Sequence, residues 1–267
     1  MRTVLKRGSI TAVLGVCLVV GCTDPGDNAV ADAGANTTPG DACANKSCAP
    51  VPGASADEVV EAPGDTGQGT GDAENAVNGV RGCGAGCGSL DVFSLGYDAG
   101  VDNFVTLRWS GRRVVNGPGV DFVVFENAFA VGDGAVFLDA VIVYLSRDGQ
   151  TWVPFPHDYQ ADDETVFEPD PSLWPGFAGV HPVLFHEEDN RVNPFDSELA
   201  GGDAFDLSDL PDDDGEAAAI KREGFRYLKL VTAPSEVNPD TGELYVKEPI
   251  SDGADIDGVY ARYFEAE

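Results

Sequence analysis

Apolar positions along this chain fall into three textures. Behind Arg2, Lys6 and Arg7, an unbroken run of weakly polar to apolar residues extends from Ile10 to Val20. From Thr23 to about Gly82 large side chains nearly vanish, and Ala, Gly, Asp, Pro, Asn and Thr dominate. Beyond residue 88 short apolar runs alternate with turn residues. Val105, Leu107 and Trp109 are spaced by Thr106 and Arg108, the period of a half-buried strand. Asn116-Gly117-Pro118-Gly119 marks a turn, and Phe122-Val123-Val124-Phe125 follows it. Phe137 to Leu145 is long and rich in Val and Ile, as a strand buried on both faces is. Asp148-Gly149 ahead of Trp152-Val153 predicts a hairpin. Phe225 to Val231 and Ile256 to Phe264 predict two more strands, and Glu216 to Glu223 a single helix stopped by Gly224.

Many short strands and one helix predict an all-β domain, an antiparallel β-sandwich of the jelly-roll kind with long loops. Residues 155–205 break the rhythm with prolines, scattered aromatics and little periodicity. Insertions of that length are uncommon in compact domains unless they are functional or disordered. The aromatics predict that the segment packs over one end or face of the sandwich. Tyr159, Trp174 and Phe177 are its candidate ligand-binding residues.

The N-terminus reads as an address. A basic segment before a short apolar run is the pattern of a secretory signal peptide, and the run falls short of the roughly 20 residues a membrane span needs. Val19-Val20-Gly21-Cys22 resembles the bacterial lipobox, which implies cleavage before Cys22 and acylation of that cysteine. One acyl chain anchors only marginally; the three that the lipoprotein pattern implies make attachment lasting. Thr23 is not the Asp that retains such proteins at the inner membrane, which points to the outer membrane. The expected organisation is a signal peptide over 1–21, a lipidated, disordered acidic tether over 22–82, and the sandwich over 83–267. The tether has too little apolar surface to offset its ordering entropy.

Charge narrows the partners. With 46 acidic and 16 basic residues the formal net charge is -30. Nucleic acid, which needs a basic footprint, is excluded as a natural partner. The acids serve either plain solubility or the holding of cations. After Cys17 leaves with the signal peptide and Cys22 takes lipid, Cys43, Cys48, Cys83 and Cys87 remain. In an exported protein these predict disulfides, with Cys43–Cys48 and Cys83–Cys87 favoured among three connectivities. A zinc site is the rival reading, weakened because no histidine lies near.

Several segments together resemble a family of secreted bacterial cell-surface proteins. The residues are Gly88 to Gly96, Val114 to Asn127 with its NGPG-DF-VFEN pattern, Ser146 to Trp152, the GGD-FDL run Ala200 to Leu207, and Asp255 to Val259. The likeness covers roughly residues 81 to 264. The family is poorly characterised, but its closing motif is similar to the last strand of jelly-roll carbohydrate-binding modules that carry structural calcium. Ala254 stands here where the motif has an aromatic residue.

Physical chemistry adds its own reason to consider a cation. Two residues apart on a strand, Asp255 and Asp257 share a face at roughly 7 Å. Hard cations such as calcium gather six to eight oxygens from such groups. Asp121, Glu126, Asn127, Asp203 and Asp206 complete the candidate metal ligands, against the plainer reading that all cap turns or face solvent. Asn238-Pro239-Asp240-Thr241-Gly242 reads as a turn. The leading expectation is a lipid-anchored binding or scaffold module, calcium-stabilised, with envelope or extracellular polysaccharide as its ligand class. The alternative is a glycosidase-like hydrolase using paired carboxylates. His157, His181 and His186 are the only histidines, and His181 and His186 with Glu187 fit no standard zinc spacing. No nucleophile elbow or phosphate loop appears.

Overall fold

The computed structural model describes residues 53–97, 103–132, 134–213 and 215–267. The leader, Cys22, Cys43 and Cys48 lie outside the described residues. Among the described residues there are fourteen strands, all paired antiparallel. They are β1 (Ala54–Ser55), β2 (Glu58–Glu61), β3 (Phe93–Ser94), β4 (Phe104–Arg108), β5 (Arg112–Val114), β6 (Phe122–Glu126) and β7 (Phe129–Gly132). There follow β8 (Ala135–Phe137), β9 (Val141–Ser146), β10 (Val153–Pro154), β11 (Asp203–Phe205), β12 (Tyr227–Thr232), β13 (Asp255–Ala261) and β14 (Phe264–Ala266). One sheet runs β1-β13-β6-β11 with β3 also on β13; the other runs β10-β9-β12-β4-β2.

The two sheets share a core, so the fold is all-β and sandwich-like. Phe122, Val124, Ile256 and Val259 from the first sheet cluster with Val105, Leu107, Val143, Leu145, Leu228 and Leu230 from the second. Alternation along the strands puts these residues on the inner faces, and in β13 a bulge between Ile256 and Gly258 brings Ile256 and Val259 to the same side. Strand β6 is buried on both sides. Its outward Val123 and Phe125 pack under Val183, Phe185 and Tyr260 in a second cluster. The single strand expected from Phe137 to Leu145 is split: Phe137 ends β8, and the second half of the run forms β9, likewise double-faced, with Val143 in the central core and Ile142 in a third cluster. The expected hairpin is β9–β10, with Val153 opposite Leu145. The expected helix spans Gly215–Glu223, and Gly224 ends it at φ +78°.

The folded part begins well before residue 83, which corrects the expected boundary. Strand β1 pairs with β13 in one sheet and β2 with β4 in the other. The chain crosses between the sheets at Ala56 and Asp57, whose amides donate to Val259 and Arg108 carbonyls at 2.8 and 3.1 Å. Trp109 Nε1 donates to the Ala54 carbonyl at 3.0 Å. Ala73 and Ala76, in a 3-10 turn at Ala73–Val77, are fully packed. Composition misled here because the buried groups are mostly alanines. Such side chains add little to a hydrophobicity count yet fill sites where only a methyl group fits.

The 155–205 segment is ordered around its aromatics. Tyr159 stacks on Trp174 with centroids 3.8 Å apart, and Trp174 meets Phe177 edge-on at 5.4 Å. With Leu138, Ile142 and Tyr245 they form the third cluster. Cys83 and Cys87 are joined by a disulfide, as expected.

Candidate functional site

The seven candidate cation ligands are distributed among separate settings. Asp121 is fully buried and accepts the Gly117 and Leu207 amides, each at 2.7 Å. It thereby ties the NGPG turn to the GGD-FDL segment. Burial pushes its carboxyl up to about 6, with the Asp206 charge adding to the effect. Asp206 caps a 3-10 turn through the Ser208 amide at 2.8 Å. Asn127 bonds both the amide and the carbonyl of Ser89.

Asp255 and Asp257 do not act as a pair. Asp255 hydrogen-bonds the Ser94 hydroxyl, whereas Asp257 accepts the Arg81 amide at 3.0 Å. A β-bulge lies between Ile256 and Gly258, so the simple alternation assumed from spacing is interrupted. Asp257 is fully buried and its second oxygen has no hydrogen-bond partner. Burial pushes its carboxyl up to about 7.

Glu126 and Asp139 are the acids that the fold brings closest to a cluster, with Asp255 beside them. Glu126 accepts the Asp255 amide at 3.0 Å, and its other oxygen is buried without a hydrogen-bond partner. Asp139 accepts the hydroxyls of Tyr97 and Ser251. Burial raises both carboxyls, and for Glu126 the Asp139 charge raises it further. Such groups favour their neutral, protonated forms and answer the charge problem by holding protons. Among the described residues, no three His, Cys, Asp or Glu side chains converge to hold a metal ion. At 2 % and 5 % exposure, Glu126 and Asp139 are also closed to a polymeric substrate.

Asp203 is held by three donors. Its Oδ2 accepts the Gly179 and Val180 amides at 2.8 and 3.1 Å, and its Oδ1 meets His181 Nδ1 at 2.7 Å. The preceding glycines make this position reachable. Gly201 and Gly202 adopt φ +64° and +69°, and a Cβ on Gly202 would lie 2.6 Å from the Phe125 ring. The hydrogen bond to Asp203 raises the His181 pKa against the opposing effect of burial. The pair lines a cleft of about 700 Å³ with Trp174, Phe177, Val180 and Phe205 among its walls. Tyr159, Trp174 and Phe177 are 1 %, 1 % and 2 % exposed. They are therefore core of the long loop and not the open platform expected of them.

A second concavity, of about 310 Å³, was not anticipated. It lies on the outward face of the β10-β9-β12-β4-β2 sheet and is lined by Phe104, Tyr144, Trp152, Lys229 and Val231. Asn103, Ser235 and Glu236 line it too. Strand register builds it: Lys229 sits opposite both Thr106 and Tyr144, and Val231 opposite Phe104. The Lys229 ammonium lies 4.1 Å from the Trp152 ring centroid and 4.7 Å from that of Phe104, within cation–π range. These aromatics are half-buried, their rings reaching the surface. The signal was present in the sequence: Phe104, Tyr144 and Lys229 each stand out of phase with the core positions of their strands. Only the strand pairing shows that they meet. No family model matches the chain, and no curated protein is detectably similar to it.

Proposed function

We propose that this is a lipid-anchored bacterial envelope protein whose jelly-roll-type domain binds a polysaccharide in the Phe104–Tyr144–Trp152 groove. The observation that carries the reading is three half-exposed aromatic rings on one sheet face with Asn103, Ser235, Glu236 and Lys229 beside them. Aromatic faces offer flat apolar surface with little entropy to lose. A few convergent polar groups then fix a ligand's orientation. Sugar rings match both, having apolar faces and hydroxyl rims. The likeness of the closing motif to carbohydrate-binding modules supports the same ligand class. The basic Arg2, Lys6 and Arg7, the apolar run from Ile10 to Val20 and the Val19-Val20-Gly21-Cys22 sequence support the anchored address.

Native gels cast with soluble xylan, dextran or alginate test the binding. The protein should be retarded by at least one of them, and Trp152→Ala should abolish retardation without changing the melting temperature. Truncating a central aromatic contact costs about 2 kcal/mol, or roughly thirtyfold in affinity. Retardation by none, or retardation unaffected in the variant, defeats the reading. Incorporation of a labelled fatty acid that disappears in Cys22→Ser tests the anchor. Structural calcium belongs to this proposal through the closing motif's likeness to calcium-bearing modules and the unpartnered oxygens of Glu126 and Asp257. A rise in melting temperature with calcium over chelator, absent with magnesium, supports it; no rise removes it.

A further inference from the structure

We propose that His181 and Asp203 form an acid/base dyad that hydrolyses small carboxylic esters in the cleft between the 170–181 loop and the 197–205 segment. This site is distinct from the aromatic groove, sharing no lining residue with it.

The geometry fixes the histidine's chemistry. Asp203 is 6 % exposed and, as a carboxylate, only accepts hydrogen bonds. Two backbone amides hold one of its oxygens in place, and the other is 2.7 Å from His181 Nδ1. The imidazole must then carry its proton on Nδ1, which leaves the Nε2 lone pair as the basic site. Nε2 has no hydrogen-bond partner among the described residues, and the ring is 56 % exposed where it lines the cleft. A base held by an orienting acid, with its reactive nitrogen facing an open cavity, is the arrangement general-base catalysis requires. Gly179 reinforces it: a Cβ there would lie 2.2 Å from the Asp139 carbonyl oxygen, so the donor turn is pressed against a fixed neighbour.

The cleft fits a small, partly apolar substrate. Its volume of about 700 Å³ is within the usual range for small-molecule sites. Trp174, Phe177, Val180 and Phe205 supply apolar wall, while Ser172 and Ser197 are hydroxyl-bearing neighbours. In the proposed step, a water oxygen bonds to the ester carbonyl carbon as His181 Nε2 takes the water's proton. The bond from carbon to the leaving oxygen then breaks, and the imidazolium returns the proton to that oxygen. Carboxylic acid and alcohol are the products, and no redox partner is consumed. Asp203 acts as a positioning residue, steadying the imidazolium without touching the substrate.

The test is hydrolysis of p-nitrophenyl acetate by the purified full chain. Saturable turnover is expected, with His181→Ala lowering kcat/KM at least a hundredfold. His157→Ala and His186→Ala should leave it unchanged. Added imidazole should restore part of the His181→Ala rate, saturably and above imidazole's own hydrolysis of the ester measured without protein, a rescue that a purely structural histidine does not allow. Asp203→Asn should lower kcat more than KM at an unchanged melting temperature. Because a buried variant can unfold, His181→Ala, whose side chain is half-exposed, carries the decision. Undiminished turnover in His181→Ala, a rate that does not saturate, or a failure of imidazole rescue overturns the dyad. Trp152→Ala should leave this turnover intact, so the dyad and the glycan groove stand or fall separately.

Discussion

Asp257 provides a quantitative handle on how this acidic protein tolerates its own charge. Its carboxyl is fully buried, accepts the Arg81 amide, and leaves one oxygen without a hydrogen-bond partner. The Arg81 guanidinium is engaged by Asp91 and Glu188, so it gives Asp257 only partial compensation. With the folded-state pKa near 7 against an ordinary 3.8, the folded chain keeps a proton that the unfolded chain releases. Stability from this group is therefore full below about pH 4 and is lost as pH rises through 7. The difference of about three units corresponds to about 4 kcal/mol above pH 8. Asp257→Asn keeps the acceptor oxygen and removes the ionisation. Guanidinium unfolding of both proteins, followed by tryptophan fluorescence from pH 4.5 to 8.5 in chelator, isolates the effect. At pH 4.5, already above the ordinary value of 3.8, the variant should lead by only about 1 kcal/mol. The variant should be more stable by about 4 kcal/mol at the alkaline end. Other groups titrate identically in both and cancel. A difference that does not vary with pH, or one favouring the wild type as pH rises, refutes the argument. The second result would mean that Asp257 works as an ionised carboxylate.

Other measurements probe the frame around the sites. A fragment of residues 83–267 lacks β1 and β2 and should fail to give a cooperative melt, whereas residues 53–267 should melt as the full chain does. Gly202→Ala forces a methyl group against the Phe125 ring at a positive φ and should cost at least about 2 kcal/mol in denaturant unfolding. Reducing the Cys83–Cys87 disulfide opens a short loop and should cost about 2 kcal/mol, readable as a lower denaturation midpoint.

Much of the architecture was legible because period-two alternation and turn residues mark strands directly. Strands β4, β6, β9 and β12, the β9–β10 hairpin and the helix before Gly224 fall where the spacing puts them. The N-terminal pair β1 and β2 was hidden because alanines and backbone hydrogen bonds hold it, and neither leaves a hydrophobic stripe. The candidate sites were less legible. Asp121, Asp203 and Asp255 read as cation ligands by residue type. Each instead takes N–H or O–H donors from segments distant in sequence, and spacing alone does not show those donors. Phe104, Tyr144 and Trp152 come from separate strands and a turn, so no local window contains their groove. His181 looked unremarkable until Asp203, 22 residues away, was placed against it.

The short passage from β1 to β2 also makes the front of the domain a separable piece. Residues 63–70 after β2 are exposed. A protease cutting there would sever the covalent chain and leave the N-terminal strands seated in both sheets by their ladders alone. Whatever lies upstream would then be linked to the domain by strand association, reversible and open to exchange with an identical segment from another copy.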